Sequence, residues 1–472
     1  MKSTDERRLW RSIDELQQNE AFEKARADEF AEATEAPEMD GSTRRHFLGV
    51  VGASVAMASM AGCVRRPEDH IVPYSRAPEE FLPGVKQHFA TATHVGGNVI
   101  GLLVESHEGR PTKIEGNPDH PSSFGKASGV HQGLVLNLYD PTRARVPQKG
   151  KAPTSWEAAS DFVRSHFREL LARQGRGLAF VSESTPSPTI AHLKRRIRAT
   201  FPEATWHTYE PVSEDSQREG LKASFDLPVR ARYELNMATT VLALDSDFLG
   251  SEGDTVANAY RWAQTRKIEN EQSGMSRLYA VEGRFSVTGT NADHRLRLPT
   301  SRIEQFAWAL VEEVGKLGGA FPILVSQAAP GITAGLDPKV RKFAAVAAED
   351  LMSQKGAGEV HRFGLVIAGR RTSPVVHALT SLINLAIGSQ GKTVTYFPDP
   401  RRADDEAGDM ASIKALTESL QAGKVDTLVV LGGNPVYTAP GDLGFAEAFK
   451  KAKTTIALSD HVDETARLAT KR

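Results

Sequence analysis

Residues 428–435 read LVVLGGNP, four consecutive apolar residues followed by a glycine pair, asparagine and proline. A short apolar run that stops at Gly432 and Gly433 predicts a buried strand with a tight turn at its carboxyl end. Similar short runs recur along the chain, and longer helical patterns separate them. The predicted strands are 178–181, 240–244, 278–281, 322–325, 365–368, 394–397, 428–431 and 455–458.

The segments between these runs carry apolar residues at helical spacing. In 302–317, Ile303, Phe306, Leu310 and Val314 form one apolar stripe, and 156–171 has a comparable pattern. Buried strands that alternate with amphipathic helices are typical of parallel sheets covered on both faces. The predicted fold class is therefore α/β, with two doubly wound, Rossmann-like parallel-sheet domains.

The chain of 472 residues is too long for one ordinary core. We predict a leader at 1–63, a linker rich in proline and charge at 64–86, and a small β-rich segment at 87–150. A first α/β domain follows at 151–325 and a second at 326–472. The β-rich segment is indicated by alternating apolar residues and by a turn at Glu108-Gly109.

The leader carries two features typical of exported bacterial proteins. Arg44 and Arg45 precede Phe47 and Leu48 and a mildly apolar run, as in a twin-arginine signal. The run is shorter than the roughly 20 residues of a spanning helix. It ends in Met-Ala-Gly before Cys63, which resembles a lipobox, so Cys63 is the predicted lipidation site. The expected location is the outer, periplasmic face of the cell membrane, with a lipid anchor.

Cysteine content and charge exclude several functions. Cys63 is the only cysteine, so this chain alone forms neither an internal disulfide nor a thiolate iron–sulfur or zinc site. The formal net charge is −1, which gives no general attraction to nucleic acid. The 14 histidines show no His-Glu-x-x-His pairing of the kind that binds zinc. The sequence also lacks the Gly-x-Ser-x-Gly motif that presents a serine nucleophile. We therefore assign no catalytic and no metal-binding residue.

Two strand-exit turns are candidate ligand sites. Ligands of doubly wound folds lie beside the carboxyl ends of the strands, where Gly432, Gly433, Asn434 and Pro435 form one turn. The other turn contains a glycine and two cations that suit a phosphate or carboxylate. Its residues are Gly369, Arg370 and Arg371. A plain tight turn and a solvated loop are the respective alternatives.

The segment 388–393 reads GSQGKT and imitates a phosphate-binding loop. The first glycine of that motif is missing, since Ala386 occupies its position. A helical pattern also precedes the segment and a strand follows it, which is the wrong order for a helix N-terminus to meet an anion. A glycine that ends a helix explains this segment better.

Three sets of residues together resemble the molybdopterin oxidoreductase superfamily. The first is KIEGNPDHP at 113–121 with LYDP at 138–141 and Trp156-Glu157, the second is ADHRLRL at 292–298, and the third is GGNP at 432–435 with DETA at 463–466. Within the superfamily the chain is most similar to the N-terminal half of the large subunit of bacterial alternative complex III. The residues that carry this likeness are Trp10-Arg11-Ser12, ahead of the twin-arginine signal, and NPVYTAP at 434–440.

This resemblance implies a role in a quinol-oxidising complex on the outer face of the membrane. The implied partners are a ferredoxin-like part with iron–sulfur clusters, cytochrome c and quinol-binding membrane subunits. Catalytic relatives have cluster-binding cysteines where this chain has residues 89–95 and 126–128. Relatives also continue past the position of Arg472 into a domain that helps to enclose the pterin. We therefore expect neither an iron–sulfur cluster nor molybdopterin in this chain, and the sequence leaves open whether it is one part of a split subunit.

Three functions follow from these observations. The first is a structural, cofactor-less subunit of the quinol-oxidising complex, an oxidoreductase by resemblance that is not catalytic on its own. The second is an oxidoreductase that still binds a pterin dinucleotide through the two strand-exit turns. The third is an exported solute-binding lipoprotein, which the fold class alone would suit. Three measurements distinguish these functions: the metal content of the purified chain, the release of pterin from it, and the membrane subunits that co-purify with it.

Overall fold

Three β-sheets organise the residues that the computed structural model describes, namely 82, 84–95, 97–270, 274–353, 363–400 and 408–472. Sheet I has the order β1-β2-β3, sheet II the order β15-β14-β6-β7, and sheet III the order β11-β10-β9-β12. Two further strand pairs, β8 with β13 and β4 with β5, lie outside these sheets. The strands are β1 Gln87–Val95, β2 Asn98–His107, β3 Arg110–Gly116, β4 Gln148–Lys149, β5 Ala152–Pro153, β6 Leu178–Ser182, β7 Thr205–Thr208, β8 Val229–Tyr233, β9 Ala238–Leu244, β10 Arg277–Glu282, β11 His294–Arg297, β12 Phe363–Ala368, β13 Val394–Pro398, β14 Thr427–Leu431 and β15 Thr454–Leu458.

The helices connect the strands and cover the parallel sheets. No helix of the described residues is both long enough and apolar enough to cross a lipid bilayer. The α-helices are α1 Gly129–Asn137, α2 Trp156–Ala172, α3 Pro188–Thr200, α4 Asp215–Phe225, α5 Thr255–Gln264, α6 Val287–Thr290, α7 Thr300–Lys316, α8 Ile323–Thr333, α9 Pro338–Met352, α10 Pro374–Ala386, α11 Asp409–Gln421, α12 Pro435–Thr438, α13 Phe445–Phe449 and α14 Glu464–Leu468.

Sheet I is the small β-rich segment. Its three strands pair antiparallel, and Ile100, Leu102 and Ile114 form its buried face. The predicted turn joins β2 to β3, with Glu108 and Gly109 both at positive φ. These residues confirm the antiparallel hairpin pattern of the sequence, in which one face is packed and the other meets water.

Sheets II and III are both fully parallel. Their strands interleave along the chain, because β14 pairs with β6 in sheet II while β12 pairs with β9 in sheet III. The segments that form sheet III are thus inserted between the two halves of sheet II. The predicted boundary between 151–325 and 326–472 separates neither sheet, because each sheet takes strands from both sides of it.

The strand predicted at 322–325 is wrong. Those residues start α8, with Ile323 and Leu324 on its exposed end. A run of four apolar residues does not by itself distinguish a strand from a helix end. The strands β7, β8 and β11 were missed, since they are only four or five residues long and carry polar or charged side chains.

The apolar stripe of α7 is confirmed. Ile303, Phe306, Leu310 and Val314 are fully buried and belong to the largest hydrophobic cluster, which covers one face of sheet III. The helix at 156–171 is confirmed as α2, which Ser155 caps at its N-terminus. Gly388 follows α10 with φ 73°, so the glycine of the phosphate-loop imitation ends a helix as expected.

Buried side chains form hydrogen bonds with the backbone groups of β12 that face away from the other strands of sheet III. The Nδ2 of Asn384 donates to the carbonyl oxygen of Val366, and its Oδ1 accepts from the Val366 N–H, both at 2.9 Å. The hydroxyls of Ser389 and Thr393 donate to the carbonyl oxygen of Gly364 at 2.6 and 2.8 Å. Because β12 is an edge strand, these bonds replace a missing neighbouring strand.

Helices α4 and α10 pack closely at Gly220. A methyl group on Gly220 would lie 2.2 Å from the carbonyl oxygen of Pro374 and 2.6 Å from the Cβ of His377. Gly315 in α7, by contrast, has open space around it. The two glycines form a matched pair, since both are helical and only one is enclosed.

We predict that Gly220→Ala lowers the free energy of unfolding by about 1–3 kcal/mol, because the added methyl group overpacks the interface. Gly315→Ala should raise it by about 0.5–1 kcal/mol through helix propensity. Urea denaturation followed by circular dichroism measures both. Equal effects of the two substitutions would contradict the close packing of α4 against α10.

Candidate functional site

A cavity of about 640 Å³ lies beside the carboxyl ends of both parallel sheets. This is the position at which doubly wound folds bind ligands. Sheet I and the start of α1 face the cavity from the opposite side. The strand-exit residues in its lining are Ser184 after β6, Glu210 after β7, four residues after β9 (Gly250, Ser251, Gly253 and Asp254), Arg370 after β12 and Asp399 after β13.

The two sides of the cavity differ in chemistry. Sheet I and α1 contribute Val95, Val99, Ile100 and Val130, and Val256 of α5 adds to this apolar wall. The charged side chains of the other side come from the strand-exit loops, from β8, and from α4 and the first residue of α11. Six carboxylates and three guanidinium groups line the cavity, a formal excess of three negative charges among the described residues. They are Glu210, Glu214, Asp215, Asp254, Asp399 and Asp409, with Arg218, Arg230 and Arg370.

Backbone amides fix three of these carboxylates in a chain. The Ser184 N–H donates to Glu210 Oε1 at 2.7 Å, and the Glu210 N–H donates to Asp409 Oδ1 at 3.1 Å. The Asp409 and Met410 N–H groups then donate to the carboxylate of Asp215, at 2.9 and 3.2 Å. A carboxylate that accepts amides at a helix start is stabilised by the helix dipole. These bonds join the exits of β6 and β7 to the N-termini of α4 and α11.

Gly408 is required at this junction. A Cβ at Gly408 would lie 2.6 Å from both carboxylate oxygens of Asp215 and 2.7 Å from Arg218 Nη2. Any larger side chain would therefore displace the carboxylate that caps α11.

Each arginine of the lining lies near a carboxylate. Arg218 is 3.4 Å from Asp215, and Arg230 is 3.7 Å from Asp254. Arg230 also donates to the side-chain amide oxygen of Asn98, whose Nδ2 donates to the Gly253 carbonyl at 3.0 Å. The exit of β9 is thereby bound to sheet I.

Glu252 pairs with the third arginine of the lining. Its Oε1 lies 3.9 Å from Arg370 Nε, and its Oε2 accepts from Ser246 and from the Arg370 N–H, both at 3.3 Å. Glu252 is 7% exposed, and burial raises the pKa of its carboxyl group, although Arg370 opposes this shift.

Of the predicted turn at Gly369, Arg370 and Arg371, Arg370 alone lines the cavity. Arg371 pairs with the buried Asp245 at 3.2 Å. Gly369 packs on the backbone of the same residue, where a Cβ would be 2.0 Å from the Asp245 carbonyl oxygen. This turn therefore holds β9 and β12 together at their carboxyl ends, and it offers no free phosphate-binding cations.

The other predicted turn, at Gly432, Gly433, Asn434 and Pro435, is outside the cavity lining. Both glycines have φ near +70°, a conformation that disfavours other residues. Asn434 Oδ1 accepts from the N–H and the hydroxyl of Thr465 at 3.1 and 2.7 Å, and its Nδ2 donates to Glu464 at 2.6 Å. Pro435 starts α12. The turn thus joins β14 to α14, and the structure does not bring the two predicted turns together.

Sequence reasoning missed Glu210, Asp215 and Asp409. They follow short strands or start helices whose partners are far away in the chain, and no motif marks them. Glu210 and Pro211, a charged residue and a proline just past the end of β7 at Thr208, would have indicated a strand-exit loop, but β7 itself was not predicted. Arg44, Arg45, Phe47, Leu48 and Cys63 lie outside the described residues.

The part of the lining that the structure describes does not fit a pterin dinucleotide. The phosphate groups of such a cofactor would face an excess of carboxylates, and the arginines near them already lie beside acids. A thiolate-held cluster has no ligand in the described residues either, because the single cysteine is Cys63. No group of three or more His, Cys, Asp or Glu residues in the described part is placed to hold a metal ion.

Comparison with known proteins places these observations in context. No protein-family model matches the chain. It is 24% identical over 466 residues to the menaquinone reductase, molybdopterin-binding-like subunit of Nitratidesulfovibrio vulgaris, a match that covers 90% of this chain and 64% of the relative. The chain therefore spans just under two thirds of that relative.

Two probable oxidoreductases of Bacillus subtilis match over short stretches. YoaE is 31% identical over 83 residues, covering 16% of this chain and 12% of the relative. YyaE is 35% identical over 74 residues, covering 15% and 11%. Among solved structures, acetylene hydratase from Pelobacter acetylenicus superposes with a TM-score of 0.59 at 11% identity, covering 79% of this chain and 60% of that chain.

These likenesses support the resemblance to the molybdopterin oxidoreductase superfamily. They also confirm the predicted fold class, a small β-rich segment with doubly wound parallel sheets as in molybdopterin oxidoreductases.

We predict that Asn434→Ala lowers the free energy of unfolding by about 1–3 kcal/mol, because buried partners on Thr465 lose their hydrogen bonds. The control is Tyr437→Ala in α12, an exposed residue whose change should stay within about 0.5 kcal/mol. Chemical denaturation monitored by tryptophan fluorescence measures both. If Asn434→Ala is as stable as the original protein, the hydrogen bonds of Asn434 do not stabilise the fold. The side chain would then be available to a ligand.

Proposed function

We propose that the chain is a structural, cofactor-less, molybdopterin-oxidoreductase-like subunit of a membrane-bound electron-transfer complex that oxidises quinol, of the alternative complex III type. The cavity is the observation that carries this proposal. It has the position of a cofactor site, but carboxylates dominate its charge and its arginines lie beside acids. The likeness to a molybdopterin-binding-like subunit of a menaquinone reductase extends over 90% of the chain and supports a place in a respiratory quinone oxidoreductase.

In this proposal the chain acts as a scaffold. Two parallel sheets and a small antiparallel sheet form a rigid body on which electron-carrying subunits assemble. Electrons pass through partners with iron–sulfur clusters and cytochrome c, and quinol is oxidised in membrane subunits. Catalysis needs groups that bind and orient the reacting atoms. In the described cavity, Glu210, Asp215 and Asp409 instead accept backbone amides, and the three arginines lie beside acids.

The proposed location is the outer face of the cytoplasmic membrane. Arg44, Arg45, Phe47 and Leu48 would direct export of the folded protein by the twin-arginine route, and a lipid on Cys63 would anchor it. A lipid anchor together with protein partners gives the two attachments that stable membrane binding requires.

The experiment is purification of the tagged chain from membranes of its own host, solubilised in a mild detergent. We expect it to elute with membrane subunits and with proteins that carry haem and iron–sulfur clusters, which mass spectrometry and visible spectra identify. A chain that elutes alone would contradict a subunit role and would favour an exported solute-binding lipoprotein.

The substitution Cys63→Ser tests the anchor in the same cells. It should remove the lipid mass from the chain and reduce the share of protein in the membrane fraction. Ser59→Ala, in the same apolar run, is the control and should change neither. A Cys63→Ser chain with unchanged mass and membrane share would show that this cysteine is not lipidated.

A further inference from the structure

Helix α8 is exposed although its composition is that of a buried helix. Neither α8 nor α10 contains Asp, Glu, Lys or Arg. In α10 seven of the 13 residues are buried, whereas in α8 only Ala329 and Thr333 of the 11 residues are buried. A helix without a charged face normally lies inside a protein or against another apolar phase. The outer side of α8 is therefore an apolar surface that the described residues leave uncovered.

Two aliphatic side chains protrude at the N-terminus of α8. Ile323 is 74% exposed and Leu324 is 79% exposed, the highest values among the Leu, Ile, Val and Met side chains that the structure describes. Both lie in residues 317–336, a run of twenty residues without Asp, Glu, Lys or Arg. Exposed apolar patches of this kind mark contacts with a membrane or with a partner.

The inner side of α8 is fixed to the protein. The Nε2 of Gln305 in α7 donates to the Ile332 carbonyl oxygen at 3.1 Å, and the Thr333 hydroxyl donates to Glu312 of α7 at 2.8 Å. Ala329 belongs to the hydrophobic cluster that covers sheet III. Because these contacts use the inner side, the protruding side chains are held outward on a fixed support.

The exposed charges beside this run are mainly positive. From 302 to 342 the exposed charged residues are four cations and one acid, namely Arg302, Lys316, Lys339, Lys342 and Asp337. Lys316 is paired with Glu312 and Glu313 at 3.0 and 2.9 Å, and Asp337 caps α9 by accepting the Lys339 N–H. Arg302 donates to Gln305, the residue that binds the C-terminal half of α8. An anionic surface complements this rim of Arg302, Lys339 and Lys342.

The shape and the charge together favour a lipid surface over a protein partner. A pair of protruding aliphatic side chains needs a matching pocket in a protein, whereas lipid chains rearrange around it. Anionic headgroups attract basic residues that flank such an apolar segment. With 11 residues, α8 is too short to span a bilayer, so it would lie in the interface.

We propose that the outer side of α8 inserts into the surface of an anionic lipid bilayer. Ile323 and Leu324 enter the boundary of the acyl chains, about 5–10 Å deep. Arg302, Lys339 and Lys342 meet the phosphate groups. This inference deepens the proposed function, on whose membrane location it rests, by naming a surface of the folded chain that contacts lipid.

A fluorescent label at position 324 tests insertion. Cys63→Ser removes the single cysteine, and with it any lipid attached there, so Leu324→Cys supplies one site for an environment-sensitive dye. We expect the emission of the dye to rise and shift to the blue on vesicles of phosphatidylcholine and phosphatidylglycerol. The control label is at Trp156→Cys, since this residue is 69% exposed on α2, and its emission should stay constant. Constant emission at position 324 would contradict insertion.

Vesicle co-sedimentation of the full-length Cys63→Ser chain measures the strength of binding. Leu324→Asp should weaken it by about tenfold or more, because an apolar side chain leaves the lipid and a carboxylate takes its place. The variant should fold, since position 324 is exposed and an acid in the first turn of a helix is favourable. Trp156→Asp, in the first turn of α2, is the matched control and should bind as the parent does. Equal binding of Leu324→Asp and its parent would overturn the proposal.

Lipid composition tests the role of the cations. Vesicles of phosphatidylcholine alone should bind about tenfold more weakly than those with phosphatidylglycerol, and equal binding would overturn the anionic preference.

A second copy of the chain is the other occupant that the label detects. If the emission at position 324 rises with protein concentration in the absence of vesicles, a second copy covers α8 and the lipid contact is refuted. A chain that binds no vesicles also refutes it, but leaves the co-purification result standing. A chain that purifies alone refutes the subunit role and leaves the vesicle result standing.

Discussion

The pairing of β6 with β14 is the constraint on which the rest of the described structure depends. It joins two segments from opposite ends of the α/β region in parallel register, from Leu178 with Thr427 to Ser182 with Leu431. Sheet III is formed by the residues between them. Because parallel strands end at the same edge, the further pairing of β6 with β7 brings the exits of these two strands together beside the cavity. The exits of β9, β12 and β13 reach the same cavity.

The fold and the chemistry of the site must be considered separately. The fold of the chain is similar to that of acetylene hydratase. Function is determined by the side chains placed on such a scaffold. Here the amide-held carboxylates Glu210, Asp215 and Asp409 and the arginine–acid pairs define the polar wall. Among the described residues, the excess of carboxylates in the lining disfavours a phosphate group.

The sequence predicted what depends on local patterns. Six of the eight strands of sheets II and III, the stripe of α7 and the hairpin of sheet I follow from periodicity and turn residues, and the structure confirms them. The short, polar strands β7 and β11 do not show this pattern. The order of the strands could not be read in this way, since an inserted sheet leaves no local trace. The run 322–325 was misassigned for a related reason, because four apolar residues suit either a strand or a helix end.

The site was less predictable than the fold. Gly369 and Gly432 were correctly placed at strand exits, but their neighbours Arg371 and Asn434 bond within the protein. A side chain that will pair with a distant acid looks the same in sequence as one that will bind phosphate. The acidic wall comes from residues distant in the chain, so only the tertiary structure shows its net charge.

The central proposal is that the cavity has the position of a cofactor site, while the charge of its described lining does not suit a pterin dinucleotide. Elemental analysis by inductively coupled plasma mass spectrometry tests it most directly, on the chain purified alone from cells that produce active molybdenum enzymes. The account predicts molybdenum, tungsten and iron far below one atom per chain. Stoichiometric molybdenum or tungsten that resists gel filtration would contradict it.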